Sequence, residues 1–390
     1  MSAENVRRAV EKLADGFAAD RSERQMRTTL VPEDFRQLAG AGLQTTGLPV
    51  ERGGLWHSVP ESTRSICEIY RALAHGDSSV ALVSSMHPAV LAFWLATPHV
   101  PEPDTAAWTA QRAAVFDSVE HGAWWGTITS EPGSGGDVHR SRTVARRDAD
   151  GWRLTGQKHF GSGSGITSFM VTTAVPDGEE ADWFYVPVES NPFDGSAGIT
   201  LVAPWDGHGM RATQSHALAF DDCPAERFAW PGHLDDLIEG AAPFIATLFT
   251  AVVLGILETA VATARAQLAP KAESLRPYEQ VEWAQAELEA WTAEQAYEGV
   301  LRAIESGNPA RGAALRGKTV IAQLAESCLL RICRVLGGGT FARHSPFGHW
   351  FEDVRALGFL RPPWGLAYDG LVADSWEPTT GASSSHPRTP

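Results

Sequence analysis

The stretch TITSEPGSGGDVHRS, residues 127–141, decides how the chain is interpreted. A short run of strand-forming residues leads into a turn that holds one proline and the glycines Gly133, Gly135 and Gly136. Glycines at this density let the backbone come close to a ligand. On their own, the same residues also fit an ordinary glycine-rich hairpin. The surrounding sequence has to separate these two interpretations.

The stretch lies in a region of short β-type runs between residues 124 and 230. Alternating or β-branched segments there are separated by turns rich in Asp, Pro and Gly, at 148–151, 176–178 and 194–195. Short strands at this spacing predict a compact β-barrel or sandwich. The predicted strands are 143–147, 152–155, 169–174, 183–188 and 217–220.

The regions on both sides of this β-rich part have helical patterns. Val6, Val10, Leu13 and Phe17 recur every three or four residues, which is the spacing of an apolar helix face. Further helices are predicted at 33–41, 62–73, 78–95, 244–267, 277–305 and 309–336. The sequence therefore predicts a helical domain at 1–120, a β-barrel domain at 121–232 and a helical bundle at 233–376. Residues 377–390 have low complexity and are predicted to be disordered.

Composition limits the classes of partner. The 390 residues carry 47 acidic and 32 basic side chains, a formal net charge of -15, which disfavours nucleic acid and anionic membranes. The N-terminus lacks the apolar core of a signal peptide, and the apolar run 241–257 is predicted to be a buried core helix. The scattered cysteines lack a metal-ligand spacing, so no metal site is expected. These features predict a cytoplasmic protein.

Further segments carry a resemblance to a known family. The stretch 127–141 is followed by GWRLTGQKHFGSGSGITSFMV at 151–171, WDGHGMRATQSHALAFDDC at 205–223, RVLGGGTF at 334–341 and WFEDVR at 350–355. Together, in this order, they resemble the acyl-CoA dehydrogenase superfamily, and they cover nearly the whole chain. The resemblance implies a mainly α-helical protein with a central β-barrel domain, which is flanked by an N-terminal helical domain and a C-terminal four-helix bundle.

The resemblance also implies a bound flavin, FAD or FMN. Phe160 takes the place of the residue that stacks on the flavin ring, and Ser162 stands where a hydroxyl points towards flavin N5. Arg211 is a candidate partner for an acid or phosphate group, with a surface ion pair as the alternative. The remaining predicted cofactor contacts are Thr127, Thr129, Ser130, Gly135, Gly136, Arg276, Gly337 and Gly338.

The chemistry that the resemblance implies depends on a carboxylate. Relatives that dehydrogenate acyl-CoA use a glutamate to remove a proton from the substrate. This chain has Ile245 at one of the two family positions for that base, and near the other position only Asp369 is available. An acyl-CoA dehydrogenase that forms an α,β-double bond with FAD, with Asp369 as the base, is therefore an alternative and not the first expectation.

These departures resemble the branch that contains two-component flavin-dependent monooxygenases. Such oxidoreductases take reduced flavin from a separate flavin reductase and use oxygen on a small organic substrate, and the chain has no nicotinamide-binding fingerprint. His87 is the candidate hydrogen-bond donor for the reacting oxygen, with a satisfied histidine on a buried helix as the alternative. Arg361 is the cation nearest to the position of the family's late histidine. A non-catalytic, flavin-free scaffold is a further alternative, and the family implies a homo-oligomer, a dimer or a tetramer.

Overall fold

The computed structural model describes residues 2–376. Its N-terminal part is helical because apolar residues repeat at helical spacing and polar side chains cap the helix ends. At the start of the chain, the Ser2 side chain accepts a hydrogen bond from the Asn5 backbone, and Val6 and Val10 are buried. The helices of this part are α1 (Ala3–Ala19), α2 (Arg21–Arg24), α3 (Pro32–Gly40), α4 (Val59–Ala74), α5 (Ser78–Ala96) and α6 (Thr105–Glu120).

The middle part is a small barrel with its own apolar core. Its strands are β1 (Trp125–Thr127), β2 (Val144–Asp148), β3 (Gly151–Gly161), β4 (Phe169–Pro176), β5 (Asp182–Pro187), β6 (Ile199–Ala203) and β7 (His216–Arg227). The pairings run from β4 through β2, β3, β7 and β5 back to β4, so these strands form a closed ring. β1 also pairs with β4, and β6 also pairs with β7. Ile128, Leu154, Met170, Phe184 and Leu218 are fully buried inside it.

The C-terminal part is helical again. Its helices are α7 (Leu234–Leu268), α8 (Pro277–Glu305), α9 (Arg311–Leu336), α10 (Pro346–Val354), α11 (Ala356–Phe359) and α12 (Trp364–Trp376). α7, α8 and α9 pack against one another, and α7 also packs against α4 and α5. This packing joins the N-terminal and C-terminal helices in one apolar core that also reaches the barrel.

Two helices, α5 and α7, contain long apolar runs. Each is long and apolar enough to cross a membrane, but 94% of the apolar window of α5 and 83% of that of α7 are buried within the chain. Pro88 lies inside α5 and Pro243 inside α7 without ending either helix. A proline inside a helix costs about 3 kcal/mol, which the burial of the flanking apolar side chains offsets. The run 241–257 is thus part of a buried core helix.

The predicted fold class, mainly helical with a central β-barrel, is confirmed. One helix limit was predicted wrongly: α7 begins at Leu234, not at 244, because Pro243 is accommodated inside it. α6, which begins at Thr105 in the predicted helical domain, was not predicted as a separate helix. β3 and β7 are longer than the predicted strands, since they continue to Gly161 and to Arg227. The predicted disordered segment 377–390 lies outside the described residues. The domain limits remain a prediction, and they fall between α6 and β1 and between β7 and α7.

Candidate functional site

The two stretches quoted first from the sequence lie side by side. Thr127 and Ser162 form an isolated antiparallel bridge, and so do Ser130 and His159. The His159 N–H donates to the Ser130 carbonyl at 2.7 Å. Ile128, between these two bridges, is fixed on its other side because its N–H donates to a carbonyl of β4 at 2.8 Å. The end of β3 and the segment after β1 therefore form the two walls of one site.

Phe160 is the exposed apolar surface of this site. It is 58% exposed, and among the described residues its aromatic neighbours are Trp205, at 6.1 Å between centroids, and His159, both in edge contact. Its backbone has a φ of +61°, a left-handed conformation that costs a residue with a side chain about 1–2 kcal/mol. Strained conformations persist where the surrounding structure enforces them, often at ligand sites. A flat partner can lie on this ring.

Ser162 begins a chain of hydroxyl groups that ends on a backbone carbonyl. Its Oγ lies 2.8 Å from Ser215 Oγ, which lies 2.7 Å from Thr213 Oγ1, and Thr213 donates to the carbonyl of Met210 at 2.8 Å. Each hydroxyl has one proton to donate. Because Thr213 donates its proton to the Met210 carbonyl, the hydrogen bond between Thr213 and Ser215 has Ser215 as its donor. Ser162 must then donate to Ser215. Only the lone pairs of the Ser162 oxygen remain for a ligand.

The glycine-rich turn has a structural reason besides ligand approach. Gly133, Gly135 and Gly136 all have a positive φ, between +66° and +84°. A Cβ atom on Gly136 would lie 2.8 Å from Cγ of Pro363. The glycine at 136 therefore makes room for Pro363, and a serine could not occupy this position without moving the proline segment.

Arg361 lies directly against this turn and against the wall of the site. Its Nε and Nη2 donate to Thr129 Oγ1 at 3.1 and 2.5 Å, and Nη1 donates to the Gly136 carbonyl at 2.8 Å. Within residues 2–376, the guanidinium forms no ion pair with a carboxylate. Burial lowers the pKa of Arg361 to about 10, although the negative charge of Asp137 acts in the opposite direction. The site thus contains a cation whose nearest partners are neutral oxygens.

Behind the turn lies a buried ion pair that sequence analysis missed. Lys158 Nζ lies 2.6 Å from Glu131 Oε1, and the carboxylate also accepts from the backbone N–H groups of Arg142 and Thr143. Burial acts to raise the pKa of the Glu131 carboxyl. The hydrogen bond from Lys158 and its positive charge outweigh burial, so the pKa of Glu131 lies below its ordinary value. The signal in the sequence was a lysine at 158 in the stretch 151–171, and β3 buries this side chain completely. This pair fixes the turn to β3, and the Glu131 carboxylate is not free.

The structure rules out His87 as a free hydrogen-bond donor. The side chain is fully buried in α5, its Nε2 lies 2.9 Å from the Gln44 carbonyl, and its Nδ1 accepts from the Trp125 N–H at 2.9 Å. Acceptance at Nδ1 requires the neutral ring to carry its proton on Nε2. Burial also lowers the pKa of His87 to about 3. The prediction is corrected: both ring nitrogens have backbone partners, Nδ1 at Trp125 of β1 and Nε2 at Gln44.

Arg211 lies apart from the ring surface. Its side chain lines a cavity with Arg21, Arg24 and Arg27, on the side of the loop that faces α2, α5 and α10. Asp353, at the edge of the same cavity, accepts from the Met210 N–H at 2.6 Å and from the Ser78 hydroxyl. The structure therefore does not bring Arg211 together with Phe160 and Ser162. This holds although Arg211 follows Met210, whose carbonyl ends the hydroxyl chain that begins at Ser162.

Asp369 and Arg276 are both exposed. Asp369 lies on α12, which packs against α9 of the helical bundle. Arg276 precedes α8, and its backbone N–H donates to Glu279. An exposed carboxylate on this helix does not have the shielded position that proton abstraction beside the flavin ring requires. The expected role of Asp369 as a base is therefore not supported, and the role of Arg276 stays a prediction.

Gly337 and Gly338 end α9. Gly337 has φ +82° and ψ -167°, a conformation that is open to glycine alone, and its N–H donates to the Cys333 carbonyl at 3.0 Å. Gly338 begins a short 3-10 turn. Both glycines are explained by the sharp end of the helix, and their contact with a cofactor stays a prediction.

The residues that the structure gathers fit a flavin ring. Phe160 offers a flat apolar surface, Thr127 and Thr129 line the neighbouring wall, and Ser162 offers an oxygen lone pair. Arg361 adds a positive charge at the far end of that wall. A flavin is a flat ring with polar groups along one edge, so an apolar face beside short polar groups is the matching surface.

Comparison with known proteins agrees with this geometry. Residues 126–223 match the family model described as acyl-CoA dehydrogenase, middle domain. The amino sugar nitrososynthase DnmZ of Streptomyces peucetius is 27% identical over 248 residues, which are 57% of this chain and 59% of DnmZ. A nitrososynthase from Micromonospora carbonacea var. africana has a TM-score of 0.78 at 21% identity, and the match covers 96% of this chain and 99% of that one. FMN-bound TdsC from Paenibacillus sp. A11-2 has a TM-score of 0.76 at 21% identity, covering 96% and 98%.

Proposed function

Because the chain has the fold and the middle domain of the acyl-CoA dehydrogenase superfamily, we propose that it is a flavin-dependent monooxygenase. In this proposal the protein is the oxygenase component of a two-component system and acts on a small organic substrate. It uses FMN or FAD that a partner reductase has reduced. When bound, the flavin supplies the electrons for activation of molecular oxygen.

One observation carries the choice of oxygenation over dehydrogenation: the charged group against the wall of the site is a guanidinium. Arg361 contacts Thr129, and a guanidinium stays protonated, so it cannot remove a proton from a substrate. The nearby carboxylate of Glu131 is bound by Lys158, and that of Asp353 is buried against Met210. Asp137 in the glycine-rich turn accepts a hydrogen bond from the His139 N–H. Oxygen activation, which needs no carboxylate base, therefore suits the site better.

The residues of the site would then position and shield the cofactor. Phe160 would support one face of the flavin ring, and Thr127 and Thr129 would line its polar edge. The Ser162 oxygen would accept a hydrogen bond, because its own proton is donated to Ser215. The apolar helix α5 lies behind this wall: the side chain of Val83 would touch a Cβ atom on Gly163. Such an apolar backing excludes water, which protects reactive oxygen species from wasteful breakdown.

The comparisons support this class of substrate. DnmZ carries the name of an amino sugar nitrososynthase, and TdsC that of a dibenzothiophene monooxygenase. Both names describe oxidation of a small organic molecule that contains a nitrogen or a sulfur atom. We therefore propose that this chain oxidises a heteroatom, and amino sugars and sulfur heterocycles form the first substrate panel.

The test determines separately where the flavin obtains its electrons and whether the reaction consumes oxygen. Purified protein is incubated with FMN or FAD, NADH, oxygen and the substrate panel, with and without a generic flavin reductase. We expect oxygenated product only when the reductase is present, since the chain lacks a nicotinamide fingerprint. Product formed without oxygen, with an artificial electron acceptor, would return the protein to the dehydrogenases.

Two further arms address the alternatives. Asp369→Asn should leave turnover unchanged, whereas loss of activity on a saturated acyl-CoA in this variant would identify Asp369 as a base. Failure of the wild type to bind oxidised or reduced flavin in an absorbance titration would support the flavin-free scaffold.

We also propose that the protein assembles with copies of itself in the cytoplasm, as a dimer or tetramer. α8 carries exposed apolar side chains, among which Leu288 is 63% and Trp291 62% exposed. Exposed apolar groups grouped on one helix mark a contact surface. Light scattering after gel filtration would give the mass, and a monomer at micromolar concentration would contradict this proposal.

A further inference from the structure

Arg361 keeps hydrogen-bonding capacity after its contacts within the chain are counted. A guanidinium has five N–H groups. Nε and Nη2 both donate to Thr129, and Nη1 donates to the Gly136 carbonyl. The second N–H of each terminal nitrogen has no acceptor among the described residues. Two donors of a half-buried cation are therefore available to a ligand.

The charge of Arg361 is not balanced locally. Asp137 is the carboxylate that acts on it electrostatically, but the two form no ion pair. Lys158 also adds positive charge nearby, and that charge is balanced by Glu131 at 2.6 Å. A desolvated cation without a paired anion is costly, so such groups are kept where an anion binds.

The position of Arg361 is held from two sides. Lys318, buried in α9, donates to the Pro362 carbonyl at 2.7 Å, so the bundle holds the residue next to Arg361. Pro363 packs against Gly136 of the glycine-rich turn. Both anchors lie within two residues of Arg361. The guanidinium is thus preorganised, and a ligand does not have to order a free side chain.

We propose that Arg361 and Ser162 together make the site select the anionic reduced flavin over the oxidised flavin. Reduced flavin carries negative charge on the N1 and C2 carbonyl edge and a hydrogen on N5, while the oxidised ring is neutral and N5 is an acceptor. Arg361 supplies the cation for that edge. Ser162 can accept from N5–H because its own proton is donated to Ser215. This inference rests on the proposed function and names its ligand state, which a reductase would deliver.

The test compares affinities and needs no turnover. Oxidised FMN and dithionite-reduced FMN are titrated anaerobically into wild type, Arg361→Gln and Arg361→Lys, and the ratio of the two dissociation constants is measured. We expect the wild type to bind reduced FMN more tightly. Arg361→Gln should reduce this preference about 10- to 100-fold, the usual effect of a hydrogen bond to a charged group. Arg361→Lys should keep part of the preference, because it retains the charge and loses the planar fork.

Controls keep the outcomes distinct. Arg140→Gln removes an exposed arginine that follows the glycine-rich turn contacted by Arg361, and it should leave the ratio unchanged. Circular dichroism and thermal melting show whether each variant is folded. If Arg361→Gln is not folded, the ratio measured for Arg361→Lys tests the inference instead. An unchanged ratio in a folded Arg361→Gln protein overturns this inference and leaves the proposed function standing. Absence of flavin binding by the wild type overturns both.

Discussion

Replacing Phe160 by alanine should weaken flavin binding by about one to two orders of magnitude while leaving the fold stable. The free energy follows from exposure. Burial of a whole phenylalanine side chain contributes about 1.5–3 kcal/mol, so covering the 58% of Phe160 that is exposed contributes about 1–1.7 kcal/mol. Ring stacking adds about 0.5–1.5 kcal/mol. The sum corresponds to an increase of about 10- to 200-fold in the dissociation constant.

The assay is quenching of FMN fluorescence on titration with wild type, Phe160→Ala and Phe160→Trp. The tryptophan variant is the matched control, because its larger ring should keep or improve stacking. Phe160→Ala should unfold at nearly the same temperature as wild type, since the side chain contacts mainly Trp205 and His159 by ring edges. A dissociation constant within about twofold of wild type in a folded alanine variant would show that the flavin does not lie on this ring.

Three further changes test groups around the site. Burial raises the pKa of Asp353 from 3.8 to about 6. Between these two pH values the folded protein keeps the Asp353 proton, whereas the unfolded chain has released it. The free energy of unfolding therefore falls as pH rises from about 4 to about 6. Asp353→Asn should remove that slope, about 1–3 kcal/mol between pH 4 and 7, as measured by urea unfolding against wild type at each pH. His87→Ala should cost about 2–4 kcal/mol of unfolding free energy, because two buried backbone groups lose their partner; an effect on turnover without one on stability would restore a catalytic role. Gly136→Ser should lower stability by about 1–2 kcal/mol through its positive φ and its contact with Pro363, and an unchanged melting curve would count against that packing.

The fold was predictable because its signals are local. Apolar spacing marks the helices, and β-branched runs between Asp, Pro and Gly turns mark most strands. The predictions failed where a tertiary contact outweighs a local one. Pro243 signals a helix boundary, yet α7 runs through it because its neighbours are buried against α4 and α5. A local pattern cannot report such burial.

The site was predictable only in part for the same reason. Phe160 and Ser162 belong to a short stretch whose order along the chain resembles a family, and the structure places them in one site. Arg361 is 232 residues from Thr129 in sequence, and no periodicity connects them. His87 was a plausible donor until its partners at Gln44 and Trp125 were known. Contacts of this range require the packed structure.

The ionisation states around the site limit what the protein itself can contribute. The His87 ring stays neutral because burial lowers its pKa to about 3, and the Arg361 pKa of about 10 keeps its guanidinium charged at neutral pH. Glu131 stays ionised because Lys158 stabilises its charge. None of these groups changes its charge between mildly acidic and mildly alkaline pH. Preorganised charge and shape are therefore what His87, Arg361 and Glu131 contribute to this site.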